Sequence, residues 1–447
     1  ANLPPLNQYG LSPEDVERIE VERRQHERVF GALTELSRYY NRRLLDNPEA
    51  LAWVKSQYGF TPEMIEHFTI GFSANDSYLT PGGEIFPGAR EVLRKHKDAY
   101  STEELISAGT FLLTKSERVV PFFENRLVFP HWSRGRVVFL TARKTPWTSD
   151  APWEQPKYKK LPVFDPTHEL WRHIAPCINN STLWGEDALL SRPHHLVITE
   201  GIADAIWASH WGFSVVSPLT VHFKATDAER LAESCTWHGI SRISICMDNE
   251  MSEVGLRASL KAAREFQRRV STVRVASLPL GPEQEEARAG LLSRFGAFTP
   301  VTPATLRKHL EGRSDEDIRD AFDLMDRAKV DIAEWARRGG TGEEFRQILE
   351  SGKSALEHAI SSIPRDGLSE DRLAELLDPI LVEISNAHIS VQERLLRLLR
   401  ERAPGLPPLG TLRKHVHAAA NRAATAEKRD RERAGGASGD MPSASDP

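Results

Sequence analysis

Residues 195–204 read HLVITEGIAD and residues 242–250 read RISICMDNE; in both, a short apolar run ends abruptly in a carboxylate. Leu196-Val197-Ile198-Thr199 has the length and β-branched content of a strand, and Glu200-Gly201 follows at once. Ile243-Ser244-Ile245-Cys246-Met247 is a second strand, followed by Asp248-Asn249-Glu250. Working outward, helices are expected over 202–211, 226–237 and 254–270, and further strands over 214–217 and 272–278. Strands alternating with helices of this kind require right-handed crossovers and a largely parallel sheet, so the expected fold class is α/β. Ligands of such sheets bind in the crevice beyond the carboxyl ends of the strands. Glu200, Asp248 and Glu250 are therefore expected on one rim. Carboxylates gathered there repel one another unless a cation lies between them, and oxygen-only donors select Mg²⁺ or Mn²⁺ over zinc.

The flanking sequence differs in character on each side. Residues 13–45 read as a long charged helix with Ser12 as cap and Pro13 at its first position. Residues 110–160 are rich in short β segments such as Leu127-Val128-Phe129 and Arg136-Val137-Val138-Phe139-Leu140. Between Lys115 and Lys160 stand ten Lys or Arg against four Asp or Glu, although the whole chain of 447 residues has a net charge of −5. Phe129, Trp132, Phe139, Trp147, Trp153 and Tyr158 are interleaved with these cations. Cations for phosphates and aromatic faces for bases form the composition of a single-strand groove.

The expected domains are a helical extension at 1–45, a basic α+β subdomain at 46–193, and a catalytic parallel-sheet domain at 194–365 with a helical insertion at 282–328. A helical C-terminal region at 366–430 and a disordered Gly/Ser/Ala/Pro-rich tail at 431–447 follow. Three widely spaced cysteines, Cys177, Cys235 and Cys246, argue against a disulfide framework and for the cytoplasm. No apolar run reaches the roughly 18 residues of a membrane span, so no membrane partner is expected.

Thr199-Glu200-Gly201-Ile202-Ala203-Asp204 resembles the glutamate strand of TOPRIM domains, and Met247-Asp248-Asn249-Glu250 resembles their Asp-x-Asp strand. Upstream, Phe68-Thr69-Ile70-Gly71-Phe72, Gly109-Thr110-Phe111, Glu124-Asn125-Arg126-Leu127-Val128-Phe129-Pro130 and Pro156-Lys157-Tyr158-Lys159 follow the order of the RNA-polymerase domain of DnaG-type primases. Downstream, residues 329–340 (KVDIAEWARRGG) resemble the element that supplies further acids in those enzymes. The resemblance implies a DNA primase that makes short RNA primers on single-stranded DNA from ribonucleoside triphosphates. It implies Glu200, Asp248 and Glu250 as catalytic metal-binding acids, Asp331 as a further metal ligand, and Gly201 and Asp204 as supporting residues. Arg126, Arg143, Lys157 and Lys159 are implied as contacts to template and nucleotide. It also implies a replicative helicase docked on the C-terminal helices.

Departures from the family pattern are Glu250 for the second aspartate, Ala333 or Ile332, depending on register, for a later acid, Leu219-Thr220 for an expected Gly-Thr, and the insertion at 282–328. The family's N-terminal zinc-binding module needs clustered cysteines, and residues 1–110 hold none. The expectation is that this module was removed, or that it lies on another polypeptide as a zinc-binding or other initiation partner, or that the chain resembles a divergent mobile-element or phage-like primase. The alternatives are a TOPRIM nuclease and a non-catalytic DNA-binding replication or defence factor of mobile-element origin.

Overall fold

The computed structural model describes residues 12–74, 78–79, 85–86, 100–114, 119–180, 183–219, 225–295, 301–363 and 370–436. Three successive helices, Pro13–Leu45, Pro48–Tyr58 and Pro62–His67, start alike. Each has a Ser, Asn or Thr side chain that accepts a backbone N–H of the first turn, followed by a proline whose missing donor costs nothing there. The helix Pro13–Leu45 was expected as an extension. Its second half is instead core: Val29, Leu33, Leu36, Tyr40 and Leu44 are each at most 1% exposed. Only from residue 29 onward does its apolar face become continuous enough to bury.

That helix packs on an antiparallel sheet built from β1 (Gly71–Phe72), β6 (Arg126–Ser133), β7 (Arg136–Lys144) and β8 (Tyr158–Lys160), in the order β1-β6-β7-β8. Two further antiparallel pairs are β2 (Tyr78–Leu79) with β3 (Ile85–Phe86) and β4 (Phe111–Leu113) with β5 (Val119–Pro121). β1 lies so close to the helix that a Cβ at Gly71 would stand 2.4 Å from the Tyr40 Cβ. The β6–β7 hairpin turns through Arg134 and Gly135, both at positive φ, the geometry that matches strand twist in a two-residue turn.

The second sheet is parallel and comprises β9 (His195–Thr199), β10 (Val215–Val216), β11 (Arg242–Cys246) and β12 (Thr272–Ala276), in the order β10-β9-β11-β12. The order of connection reverses between β9 and β11, so a crevice opens at their carboxyl ends. Thr199 pairs with Cys246, which brings the ends of the two acid-bearing strands level. Helices Ile202–His210, Ala225–His238 and Val254–Gln267 make the crossovers, close to the expected bounds. The insertion is three helices, Pro282–Phe295, Pro303–His309 and Asp315–Arg327, closed around Ala287, Leu291, Leu306, Leu310 and Ala321 and resting on Met251.

The chain divides into two compact units at Ser351/Gly352, ahead of the expected boundary at 365/366. The reason is that Leu356, Ile360 and Ile363 pack with Leu377, Ile380, Ile384 and Leu399 rather than with the sheets. This second unit comprises the helices Ala355–Ser361, Glu370–Ser385, Ile389–Arg402 and Leu409–Gly436. The last helix runs into the stretch expected as a disordered tail; residues 437–447 lie outside the described residues, as do 1–11 and Thr220. Among the described residues no helix is long and apolar enough to cross a membrane.

Candidate active site

Glu200, Asp248 and Asp331 line one cavity of about 370 Å³ beyond β9 and β11, together with Arg143, Lys157, Lys160, Asp204, Lys329 and Arg337. Glu200 leaves the end of β9 with its backbone carbonyl fixed by the Ser217 hydroxyl at 2.9 Å. Its Oε2 is buried and has no hydrogen-bond partner. Burial first, and the Asp248 charge second, push its carboxyl up to about 7. Asp248 follows β11, and burial raises its carboxyl to about 6 although the Lys329 ammonium opposes the shift. Asp331 caps the helix Ile332–Arg337, accepting the Glu334 N–H at 2.6 Å.

The segment bearing Asp331 is held against the β11 end by an antiparallel bridge. Asn249 N–H donates to the Val330 carbonyl at 2.9 Å, and Val330 N–H to the Asn249 carbonyl at 3.1 Å. Strand alternation then sets Asp248, Asp331 and Lys329 on the face opposite Asn249 and Val330. Arg288 of the insertion clamps this bridge: its Nε donates to the Ala328 carbonyl at 2.9 Å, and its Nη2 to the Asn249 carbonyl at 2.9 Å and Oδ1 at 3.0 Å.

Asp204 is 5% exposed and accepts from Gly201 N–H and Ala333 N–H, both at 3.1 Å. Burial, then the charges of Asp331 and Asp248, push its carboxyl well above the usual range. It ties the Glu200 turn to the Asp331 helix, a supporting role. Gly201 is required by that closeness, since a Cβ there would meet the Asp204 Oδ2 at 2.8 Å. Gly201→Ala is expected to break the Gly201–Asp204 bond and lower stability by about 1–3 kcal/mol. An unchanged urea midpoint would refute this.

Among the described residues no three His, Cys, Asp or Glu side chains converge to hold a metal ion as they stand. The Lys329 ammonium is ion-paired to the Asp248 Oδ2. The donor set still fits a hard cation, because Glu200 Oε2 is a buried oxygen left unsatisfied beside two further carboxylates. Glu250 was expected beside Asp248 at this rim. Its charge acts on both the Glu200 and the Asp248 carboxyl, its Oε1 accepts the Ser252 hydroxyl at 2.5 Å, and it lines an adjoining cavity of about 160 Å³ that Asp248 also borders.

The expected cations divide sharply. Arg143 reaches the acid cavity, stacked 5.0 Å from the Tyr58 ring centre and 5.6 Å from that of Tyr158. Lys157 joins it, and burial together with the Arg143 and Lys329 charges lowers its ammonium below the usual lysine range. Arg126 and Lys159 are not in the cavity. Arg126 is fully buried, with Nε on Glu154 Oε2 at 2.7 Å and its other nitrogens on the Glu154 and Pro156 carbonyls. Lys159 meets Glu154 Oε1 at 2.5 Å and the Phe122 carbonyl at 2.8 Å. Both are structural, because a buried carboxylate at 154 demands them. Phe129 and Phe139 are core as well, while Trp153 and Tyr158 remain exposed. Sequence reasoning missed Tyr58, Arg337 and Arg288, and read Lys329 only as the start of the 329–340 element.

The chain thus joins a parallel sheet with acids at its switch point to an antiparallel sheet that carries Arg143. Residues 39–173 match the sequence family described as DNA primase catalytic core, N-terminal domain. No curated protein matches the chain in sequence. Among solved structures, the Aquifex aeolicus primase (zinc-binding and RNA-polymerase domains) is 18% identical, with a TM-score of 0.54 over 87% of this chain and 75% of that one. The RNA-polymerase domain of Mycobacterium tuberculosis primase DnaG is 16% identical, with a TM-score of 0.55 over 84% and 98%. A DnaG primase catalytic domain bound to single-stranded DNA is 18% identical, with a TM-score of 0.53 over 85% and 99%. The chain has the fold of DnaG-type primase catalytic cores, and its family match covers the basic sheet, with Arg143 and Lys157, but not the acids.

Proposed function

We propose that this chain is the catalytic core of a DNA primase, joining ribonucleoside triphosphates into short primers on single-stranded DNA. One observation supports it most: the acids Glu200, Asp248 and Asp331 and the cations Arg143, Lys157, Lys160 and Arg337 line a single cavity. Nucleotidyl transfer needs carboxylates for a hard cation and fixed positive charge for a triphosphate in the same place.

Glu200, Asp248 and Asp331 would hold Mg²⁺ or Mn²⁺, which when bound polarises the α-phosphate and lowers the pKa of the attacking 3′-hydroxyl. Arg143, braced between two tyrosine rings and bonded to the Tyr158 hydroxyl at 3.3 Å, presents a pre-oriented guanidinium to phosphate oxygens. Lys157, partly desolvated, adds a charge that strengthens as water leaves the cavity. Exposed Trp153 and Tyr158 offer stacking faces to template bases. A helicase docked on the C-terminal helices and a zinc-binding initiation partner belong to the same proposal.

The direct test is labelled-nucleotide incorporation on single-stranded templates with and without Mg²⁺ or Mn²⁺. Strand cleavage without incorporation would favour a nuclease instead, and binding alone a non-catalytic factor. Lys157→Ala is expected to weaken single-strand binding and reduce the slope of log affinity against log salt by roughly 0.7, one phosphate contact. Arg143→Ala should do the same and weaken binding further by freeing both tyrosines. Slopes unchanged in both variants would leave these cations without a phosphate role.

A further inference from the structure

We infer that Lys329 is a built-in counter-ion that limits the acid cavity to a single divalent ion. The inference rests on the reading of Glu200, Asp248 and Asp331 as a metal site, and it concerns how many ions they take.

Lys329 stands between Ala328, whose carbonyl accepts from Arg288, and Val330, whose backbone is bridged to Asn249 in both directions. Its Cα therefore cannot drift away from the β11 end. From that anchored position its ammonium pairs with the Asp248 Oδ2, and the Asp248 side chain is only 8% exposed. The charges of Asp248, Glu200 and Asp331 all act on the ammonium and together outweigh its burial. One lysine thus answers to the same three carboxylates that would ligate metal.

A second divalent ion would compete with Lys329 for the Asp248 Oδ2 and would sit beside a like charge whose backbone is held at the β11 end. The position left open is the Glu200 side, where Oε2 is buried without a partner.

The experiment is a Mn²⁺ titration of the metal-free full chain, followed by the electron paramagnetic resonance of free Mn²⁺, for wild type, Lys329→Arg and Lys329→Met. One bound ion is expected for wild type and for Lys329→Arg, which keeps the charge. Two are expected for Lys329→Met, with the tighter one strengthened at least tenfold. Circular dichroism confirms that each variant is folded, and Lys329→Arg guards against a Met variant that is not. Two ions in wild type, or one in folded Lys329→Met, would overturn the inference while leaving the metal site intact. No Mn²⁺ bound by any of the three would overturn the metal site itself, and the inference with it.

Discussion

Replacing Glu200 by Gln is expected to cut primer synthesis by on the order of 10²–10³-fold while making the metal-free protein more stable at pH 8. Both effects come from one oxygen. The activity is lost because the buried, unpartnered Oε2 is the donor most open to a cation, and an amide is a far poorer one. The stability is gained because the folded carboxyl titrates near 7, against an ordinary value of 4.5, chiefly through burial. Between those two pH values the folded chain binds more protons than the unfolded one. Stability therefore declines as pH rises through that window, and the loss is complete above about pH 7. A neutral amide in place of the Glu200 carboxylate carries no such penalty. The variant should gain about 1–3 kcal/mol at pH 8, allowing for partial solvent screening, and nothing at pH 4. Thermal melts across pH, without metal, measure it. A wild-type pH profile in Glu200→Gln, or undiminished synthesis, would contradict the assignment.

The second large effect lies away from the chemistry. Arg126 and Glu154 form an ion pair whose side chains are 0% and 1% exposed. Glu154→Ala strands the guanidinium in the core beside Pro156, and Lys159 loses its partner too. Breaking a buried pair from one side costs about 3–5 kcal/mol, and Arg126→Met should cost about the same. The double variant Arg126→Met with Glu154→Leu should recover most of the loss, since the buried pair is then replaced from both sides. Denaturant melts of the three variants form the cycle. Equal loss in the single and double variants would show that packing, and not charge, holds this site together. Because Arg126 does not reach the cavity, folded Arg126→Met should keep the wild-type salt dependence of DNA binding. This contrasts with Lys157→Ala.

Glu200 and Arg126 show where sequence sufficed and where it failed. Glu200 and Asp248 could be placed because an apolar strand that stops at an acid fixes the acid's position along the sheet edge. The parallel sheet followed from the spacing of strands and helices for the same reason. Arg126 could not be placed, since a cation for phosphate and a cation for a buried carboxylate are spelled alike. Its partner Glu154 lies 28 residues away, across a loop whose course no local pattern fixes. Glu250 stands close enough for its charge to act on Glu200 and Asp248, but its bond to the Ser252 hydroxyl was not legible in the sequence. Lys329 was overlooked because a lysine beside acids in sequence says nothing of whether they meet. Only the Asn249–Val330 bridge makes them meet.

Ala333 and Asp204, joined through one hydrogen bond, are 129 residues apart in the chain. Closing such loops costs chain entropy that returns only when every contact is made. A ribosome releases this chain from its N-terminus, and domains fold as they emerge. The basic sheet with Arg143 and Lys157 is complete once Lys160 is out, whereas the acids wait for Asp331. On the function proposed above, a chain of intermediate length would therefore carry the cations of the groove before it carried the acids, so that binding and chemistry would be acquired at separate lengths of the chain.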